Sequence, residues 1–142
     1  MKTYLDTSVL VSLHLRDSSY ATAAQIMRTA NGAIWTPWQK VEFGNAMRAR
    51  IHRGDITLAD MRKSENAMRA ALQAGDLRWH PLPAYSLWNE AEKLSISHTP
   101  ALGVRTLDLL HVAAATALGA TRFYTLDKRQ HALARAAGLQ TN

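Results

Sequence analysis

The sequence predicts an α/β fold in which a parallel β-sheet carries helices on both faces. Short apolar runs alternate with longer segments of helical periodicity along the whole chain, and this alternation is typical of βαβ units. No internal repeat, low-complexity tract or linker interrupts it. At 142 residues, with 47% hydrophobic residues, the chain has the size of one domain with a substantial core. We therefore expect a single domain spanning 1–142.

The first half of the chain carries clear helix boundaries. Pro37 suits a first helical position and Gly54 a helix end. Thr57 and Asp60 resemble a capping box, and Gly75 ends the helix that follows it. We predict strands at 2–5 and 33–36, and helices at 19–30, 37–54 and 57–75.

The second half repeats the alternation with less regular strands. The segment 105–119 is strongly apolar and opens a helix at Thr106. The remaining elements are a weak strand at 77–82, a helix at 84–96, a strand at 122–126, a helix at 128–138 and a short fifth strand at 139–141. Because each strand is separated from the next by helix, the strands are expected to run parallel.

The balance of charges favours a polyanionic partner. Seventeen Lys and Arg residues face eleven Asp and Glu, which gives a formal net charge of +6 with histidines neutral. The bases concentrate in the segments 47–54, 61–63 and 127–135. For any single arginine a solvated helix face is the simpler explanation, but together the bases indicate nucleic acid.

Composition also excludes several classes of protein. The chain has no cysteine, so it has no disulfide or thiolate metal site, and we expect a reducing cytoplasm as its location. No uninterrupted apolar run approaches the roughly 20 residues of a membrane helix. The apolar run after Ser8 is broken by Ser12 and His14, which makes it a poor signal peptide.

Four of the eleven acids stand in unusual positions. Asp6 and Asp127 each close an apolar strand, and parallel strands end at the same edge of a sheet, where α/β folds place their ligands. Glu42 shares a helical stripe with apolar residues, where a lone charge is costly. Asp108 lies between two leucines in the first turn of an apolar helix.

Each of these acids also has a simpler explanation. Asp6 precedes two hydroxyl residues and could cap a helix that begins there, and Asp127 could cap the helix at 128–138. Asp108 is favoured by the helix macrodipole alone, and Glu42 could lie at the edge of its stripe. One common cause explains all four better than four coincidences.

That cause is a shared cation. Clustered carboxylates repel one another unless a cation joins them. Mg²⁺ and Mn²⁺ take oxygen ligands, and neither cysteines nor a paired-histidine spacing offers a site for a softer metal. The six histidines are scattered along the chain.

Four segments resemble the PIN domain and, within it, the VapC-type toxin ribonucleases. In chain order they read YLDTSVL, VEFGNAMRAR, RTLDLLHVAAA and FYTLDKRQ. The resemblance implies a three-layer α/β/α domain with a central five-stranded parallel sheet. It also implies Mg²⁺- or Mn²⁺-dependent endoribonuclease activity, homodimerisation and inhibition by a VapB-type antitoxin.

The resemblance assigns roles to individual residues. The four acids of the family's site match Asp6, Glu42, Asp108 and Asp127. Two supporting hydroxyls match Ser8 and Thr125. Asp6 is thereby predicted to be a metal ligand, with Thr7 and Ser8 starting the helix behind it.

Hydrolysis of a phosphodiester suits such a site. Two divalent cations can activate a water and relieve negative charge on the phosphate. The four negative charges of the carboxylates would neutralise the positive charge of the two cations. We assign Asp6, Asp108 and Asp127 to a first metal, and Glu42 to a second ion or to orienting the water. Arg105 and Arg129 flank the site as possible phosphate contacts. His111 could support a ligand or simply pack inside its helix.

Other functions fit the sequence less well. A phosphatase with an aspartyl nucleophile needs an acid where Ser8 stands. A catalytically silent PIN-like module that only binds RNA or a protein should have lost acids, and none of the four is missing.

Overall fold

Five short parallel strands form the centre of the computed structural model, which describes residues 1–142. They are β1 (Thr3–Leu5), β2 (Ala33–Trp35), β3 (Leu77–Trp79), β4 (Arg122–Tyr124) and β5 (Gln140–Thr141). Their order across the sheet is β3-β2-β1-β4-β5, and every neighbouring pair is parallel. The predicted five-stranded parallel sheet is confirmed, and β1 lies at its centre.

Seven helices connect and cover the strands. They are α1 (Thr7–Leu15), α2 (Tyr20–Thr29), α3 (Pro37–His52), α4 (Leu58–Ala74), α5 (Ala84–Leu102), α6 (Thr106–Ala117) and α7 (Lys128–Ala136). None of them is both long and apolar enough to cross a membrane.

Two apolar cores lie on the two faces of the sheet. Successive strand residues point to opposite faces, and the two cores divide accordingly. Tyr4 and Ile34 belong to a core shared with α5, α6 and α7, whereas their neighbours Leu5 and Trp35 belong to a core shared with α1 to α4. The sheet is therefore covered on both sides, as the alternation of elements predicts.

Local capping fixes where α3 begins. Thr36 and Gln39 form a capping box, and the Gln39 side chain is fully buried. Its Nε2 also donates to the carbonyl of Leu5 at 2.7 Å. The first turn of α3 is thus tied to the end of β1, which sets the position of Glu42 one turn further along.

Two predicted boundaries differ from the structure by three residues or more, and the others by two at most. The third strand ends at Trp79 instead of reaching 82, because the chain leaves the sheet at the prolines that follow. Helix α5 continues to Leu102 instead of ending at 96, with Pro100 inside its last turn. Leu102 packs against the α5–α7 core, and Gly103, at a φ of 60°, ends the helix. Tertiary packing here outweighs the helix-breaking tendency of proline.

Candidate functional site

Asp6 stands at the end of the central strand and is almost completely buried. It is the N-cap of α1, since its Oδ2 accepts a hydrogen bond from the backbone N–H of Ser8 at 3.2 Å and another from the Ser8 hydroxyl. Its Oδ1 lies 3.3 Å from Nε2 of Gln130 and 3.6 Å from Nε2 of His111. The capping explanation is therefore correct, but it occupies only one of the two oxygens.

Asp127 and Asp108 share one guanidinium. Asp127 caps α7, with Oδ1 accepting from the N–H groups of Arg129 and Gln130 at 2.9 Å each. Arg105 Nε donates to Asp108 Oδ2 at 2.9 Å, and its Nη2 lies 3.8 Å from Asp127 Oδ2. The hydrogen bond from Arg105 to Asp108, followed by the charges of the two acids, raises the pKa of Arg105. Arg105 thus partly neutralises both acids.

Glu42 faces the same edge of the sheet from α3. Its Oε2 accepts from the Thr7 hydroxyl at 2.7 Å and contacts Nε2 of His111. Burial raises the pKa of Glu42, but the hydrogen bond and charge of His111 and the Thr7 hydroxyl outweigh it, so this pKa lies below its ordinary value. Glu42 is therefore an ionised carboxylate at neutral pH.

His111 is buried between these acids. Its Nε2 contacts Glu42 and lies 3.6 Å from Asp6 Oδ1. The same nitrogen lies 3.0 Å from the indole nitrogen of Trp38, and Nδ1 lies 3.0 Å from the hydroxyl of Tyr4. His111 is a buried residue of α6 and also lies against two of the four acids. Packing in the core and support of a ligand are therefore compatible roles for it.

Thr125 and Gln130 join the acids at the ends of β1 and β4. The Thr125 hydroxyl donates to Gln130 Oε1 at 2.6 Å, lies 3.4 Å from Asp6 Oδ2, and accepts from the N–H of Asp127 at 3.0 Å. Sequence reasoning missed Gln130, although an amide in line with the buried Leu133 and Ala134 is an unusual core residue. Arg129 contributes only its backbone to these contacts, and its side chain is exposed.

The donor chemistry fits Mg²⁺ or Mn²⁺, although the side chains do not converge on one point. All four acids offer oxygen, which these cations prefer. No group of three His, Cys, Asp or Glu side chains is placed to hold a metal ion. Arg105 lies between Asp108 and Asp127, and His111 contacts Glu42 and lies 3.6 Å from Asp6. Arg105 is largely exposed and can turn away without disturbing the core.

A model of the PIN domain family matches residues 3–136. No protein of curated function matches the chain by sequence. Solved structures with the same fold include VapBC2 from Rickettsia felis, which is bound to a DNA fragment from its own promoter. It is 15% identical with a TM-score of 0.66, covering 100% of this chain and 98% of that one.

Two further structures agree. VapC20 of Mycobacterium tuberculosis, described as a Sarcin-Ricin loop cleaving toxin, is 17% identical with a TM-score of 0.67, covering 96% of this chain and 95% of that one. PAE2754 from Pyrobaculum aerophilum is 16% identical with a TM-score of 0.66, covering 99% of this chain and 83% of that one. At these identities the likeness shows the fold.

Proposed function

The chain belongs to the PIN domain family, and from this premise we propose that it is a VapC-type toxin, an endoribonuclease that hydrolyses RNA with carboxylate-held Mg²⁺ or Mn²⁺. The observation that carries the proposal is the linkage of four acids that lie far apart in the sequence. Arg105 contacts Asp108 and Asp127, and His111 contacts Glu42 and Asp6. The proposed compartment is the cytoplasm, where a chain without cysteines is at no disadvantage.

The acids would hold the cations. Asp6, Asp108 and Asp127 are the proposed ligands of a first metal, and Glu42 holds a second or orients the attacking water. Bound divalent cations supply an activated water and neutralise charge on the phosphate and leaving oxygen. The hydroxyls of Ser8 and Thr125 keep Asp6 in one orientation, because each lies beside its Oδ2.

The bases would hold the RNA. Setting aside the four site acids leaves seventeen Lys and Arg residues against seven acids, and such a surface attracts phosphates without regard to sequence. Arg105 pairs with Asp108, Arg129 follows Asp127 by two residues, and both arginines are exposed. Once a cation neutralises Asp108 and Asp127, the Arg105 guanidinium becomes available to a phosphate of the substrate.

A VapB-type antitoxin is the proposed protein partner. Asp108 and Asp127 already accept one guanidinium, that of Arg105. An antitoxin arginine placed there would pair with the same carboxylates and keep cations out.

A homodimer is the proposed assembly. Helix α5 exposes Tyr85, Trp88 and Ile96, at 82%, 59% and 71% of their surfaces, and a second copy would cover these apolar side chains.

The test is cleavage of a structured RNA with and without divalent cations. The wild type should cut the RNA in millimolar Mg²⁺ or Mn²⁺ and not in EDTA. Asp6→Asn and Asp108→Asn should bind the RNA without cutting it. Glu65→Gln is the matched control. Glu65 is exposed on α4, and its ion pair with Arg48 is a long one, at 4.0 Å between exposed side chains. Asp60 is unsuitable as a control, since it completes the capping box of α4.

One observation favours the alternative of a catalytically silent PIN-like module that binds RNA or a protein. The side chains as placed do not form a metal site. The same assay separates the two functions, since a silent module would bind RNA equally well with and without cations and cut it in neither condition.

A further inference from the structure

An open pocket lies between α3 and α4, beside the edge strand β3. Its volume is about 630 Å³, which is within the range of pockets that bind small ligands. Its lining includes the buried rings of Trp35 and Phe43, which pack edge to face with centroids 6.3 Å apart. Neither ring contacts the four acids, so the pocket is separate from the site described above.

Trp79 lines the same pocket but keeps 51% of its surface exposed. It pairs with Trp35 across β2 and β3, and paired residues of neighbouring strands point to the same face of a sheet. A half-exposed indole beside a pocket offers a π-face on which a planar group can stack. Nucleobases are such groups, and stacking on aromatic side chains is the usual way in which proteins hold single strands.

The exposed part of the lining is mostly positive. Lys40 and Arg48 reach the pocket from α3 and Arg69 from α4, and all three are exposed. The guanidinium of Arg48 folds back over Gly44, where an added Cβ would lie 2.6 Å from Nη1. Glu65 is the one acid of the lining, and its pair with Arg48 at 4.0 Å is exposed and therefore weak. The pocket thus combines an aromatic wall with cations that suit phosphates.

The pocket opens at the edge of the sheet that carries the four acids. Trp79 is the last residue of β3, as Leu5 is the last residue of β1, directly before Asp6. Two strand spacings of about 4.8 Å put the Trp79 backbone roughly 10 Å from that of Leu5. This distance corresponds to about three nucleotides of a stacked strand. Glu42 is the only acid of α3, so no other carboxylate of that helix repels a strand that crosses from the pocket to the site.

We propose that this pocket, the Trp79 pocket, binds an unpaired nucleotide of the RNA substrate about three nucleotides away from the phosphodiester that is cut. Trp79 stacks on the base. Lys40, Arg48 and Arg69 contact the flanking phosphates, whereas Glu65 contacts no nucleotide. The inference deepens the proposed function, since it takes RNA as the substrate. It makes the enzyme selective for single-stranded or looped RNA, because a base stacked within a duplex has no free π-face.

The charge of the Trp79 pocket favours RNA over a protein occupant. An apolar helix of a partner would gain from covering Trp79, but it would also take the three cations out of water without pairing them. The phosphates of a single strand pair with those cations and release their counterions.

Binding of a fluorescein-labelled single-stranded RNA to the wild type in EDTA tests the inference without any cleavage. Trp79→Leu should weaken this binding about fivefold or more, because the stacking platform is lost. The affinity for a duplex of the same sequence should not change. Trp79→Phe should bind the single strand within about threefold of the wild type, since it keeps a π-face. The matched control is Trp88→Leu, which removes a comparably exposed indole from α5 and should bind both RNAs as the wild type does.

The salt dependence of single-strand binding measures the phosphate contacts. Lys40→Gln and Arg69→Gln should each lower the slope of log affinity against log salt by about 0.7. Arg135→Gln, at an exposed position on α7 outside the pocket, should leave the slope unchanged. These surface substitutions test the Trp79 pocket even if Trp79→Leu unfolds, which thermal denaturation of each variant would reveal.

The outcomes separate this inference from the nuclease proposal. If the wild type cuts RNA in Mg²⁺ but Trp79→Leu binds the single strand as tightly as the wild type, the pocket assignment is wrong and the nuclease proposal stands. Equal losses of affinity for the single strand and the duplex would also overturn the assignment, because a paired base cannot stack on Trp79. If RNA binds through Trp79 but is never cut, the assignment stands and the nuclease proposal fails. If the wild type binds neither RNA, both are wrong.

Discussion

The Nε2 of Gln130 lies 3.3 Å from Oδ1 of Asp6, so an amide from the first turn of α7 supports a carboxylate at the end of the central strand. Gln130 is fully buried. The residues are separated by 124 positions in the sequence, and the contact joins β1 to the helix that follows β4.

Replacing this amide with an apolar side chain of similar size should destabilise the protein. Gln130→Met removes the acceptor of the Thr125 hydroxyl and a donor to Asp6, and such unsatisfied buried groups cost about 1–3 kcal/mol. Urea denaturation at neutral pH without divalent cations measures the change. Gln73→Met, at an exposed position on α4, should stay within about 0.5 kcal/mol of the wild type. Equal stabilities of the two variants would mean that the Gln130 contacts contribute little.

Arg105 should compete with cations for Asp108 and Asp127. Because its guanidinium pairs with Asp108 and lies near Asp127, a cation must displace it, and Arg105→Gln should bind Mg²⁺ severalfold more tightly. The Mg²⁺ concentration at half of the maximal rise in melting temperature gives the affinity. Arg62→Gln on α4 serves as the control, since Arg62 is exposed and lies on a different helix from each of the four acids. An unchanged or weaker affinity in Arg105→Gln would show that the arginine does not occupy the cation's place.

His14 should make the fold less stable in mild acid. Burial lowers the pKa of His14 from its ordinary value of 6.5, and its ring packs edge-on against Phe43 with centroids 5.3 Å apart. Between this lowered pKa and 6.5 the unfolded chain binds more protons than the folded one, so stability is complete above 6.5 and falls as the pH drops below it.

A substitution isolates this contribution. In His14→Gln the decline in the free energy of unfolding between pH 7 and pH 5 should be shallower than in the wild type. His52→Gln, at an exposed position on α3, should keep the slope of the wild type. A slope in His14→Gln as steep as in the wild type would assign the pH dependence to other groups.

Sequence patterns predicted what is local in this protein. The alternation of apolar runs and helical segments predicted the parallel sheet. Asp6 directly follows β1, whereas Asp127 follows the end of β4 by three residues and caps α7. Capping signals at Thr57 and Gly75 set the bounds of α4. The end of α5 was wrong because the packing of Leu102 against the core carries the helix through Pro100, and packing of this kind leaves no local signal.

Such sequence patterns could not predict which side chains contact the acids. His111 meets Glu42 and Trp38 across 69 and 73 positions of sequence, and no periodicity within one helix reveals a partner on another. The sequence predicts a phosphate contact for Arg105, and it gives no sign that this side chain also pairs with Asp108 three residues away.

Calorimetric titration of Mn²⁺ into the metal-free protein tests most directly whether the four carboxylates form one cation site. The wild type and Glu65→Gln should bind Mn²⁺ with equal affinity. Asp6→Asn and Asp108→Asn should each lose that binding while unfolding cooperatively, since a ligand has been removed and the core is intact. Absence of Mn²⁺ binding in the wild type, or undiminished binding in both asparagine variants, would contradict the assignment of these acids to a metal site.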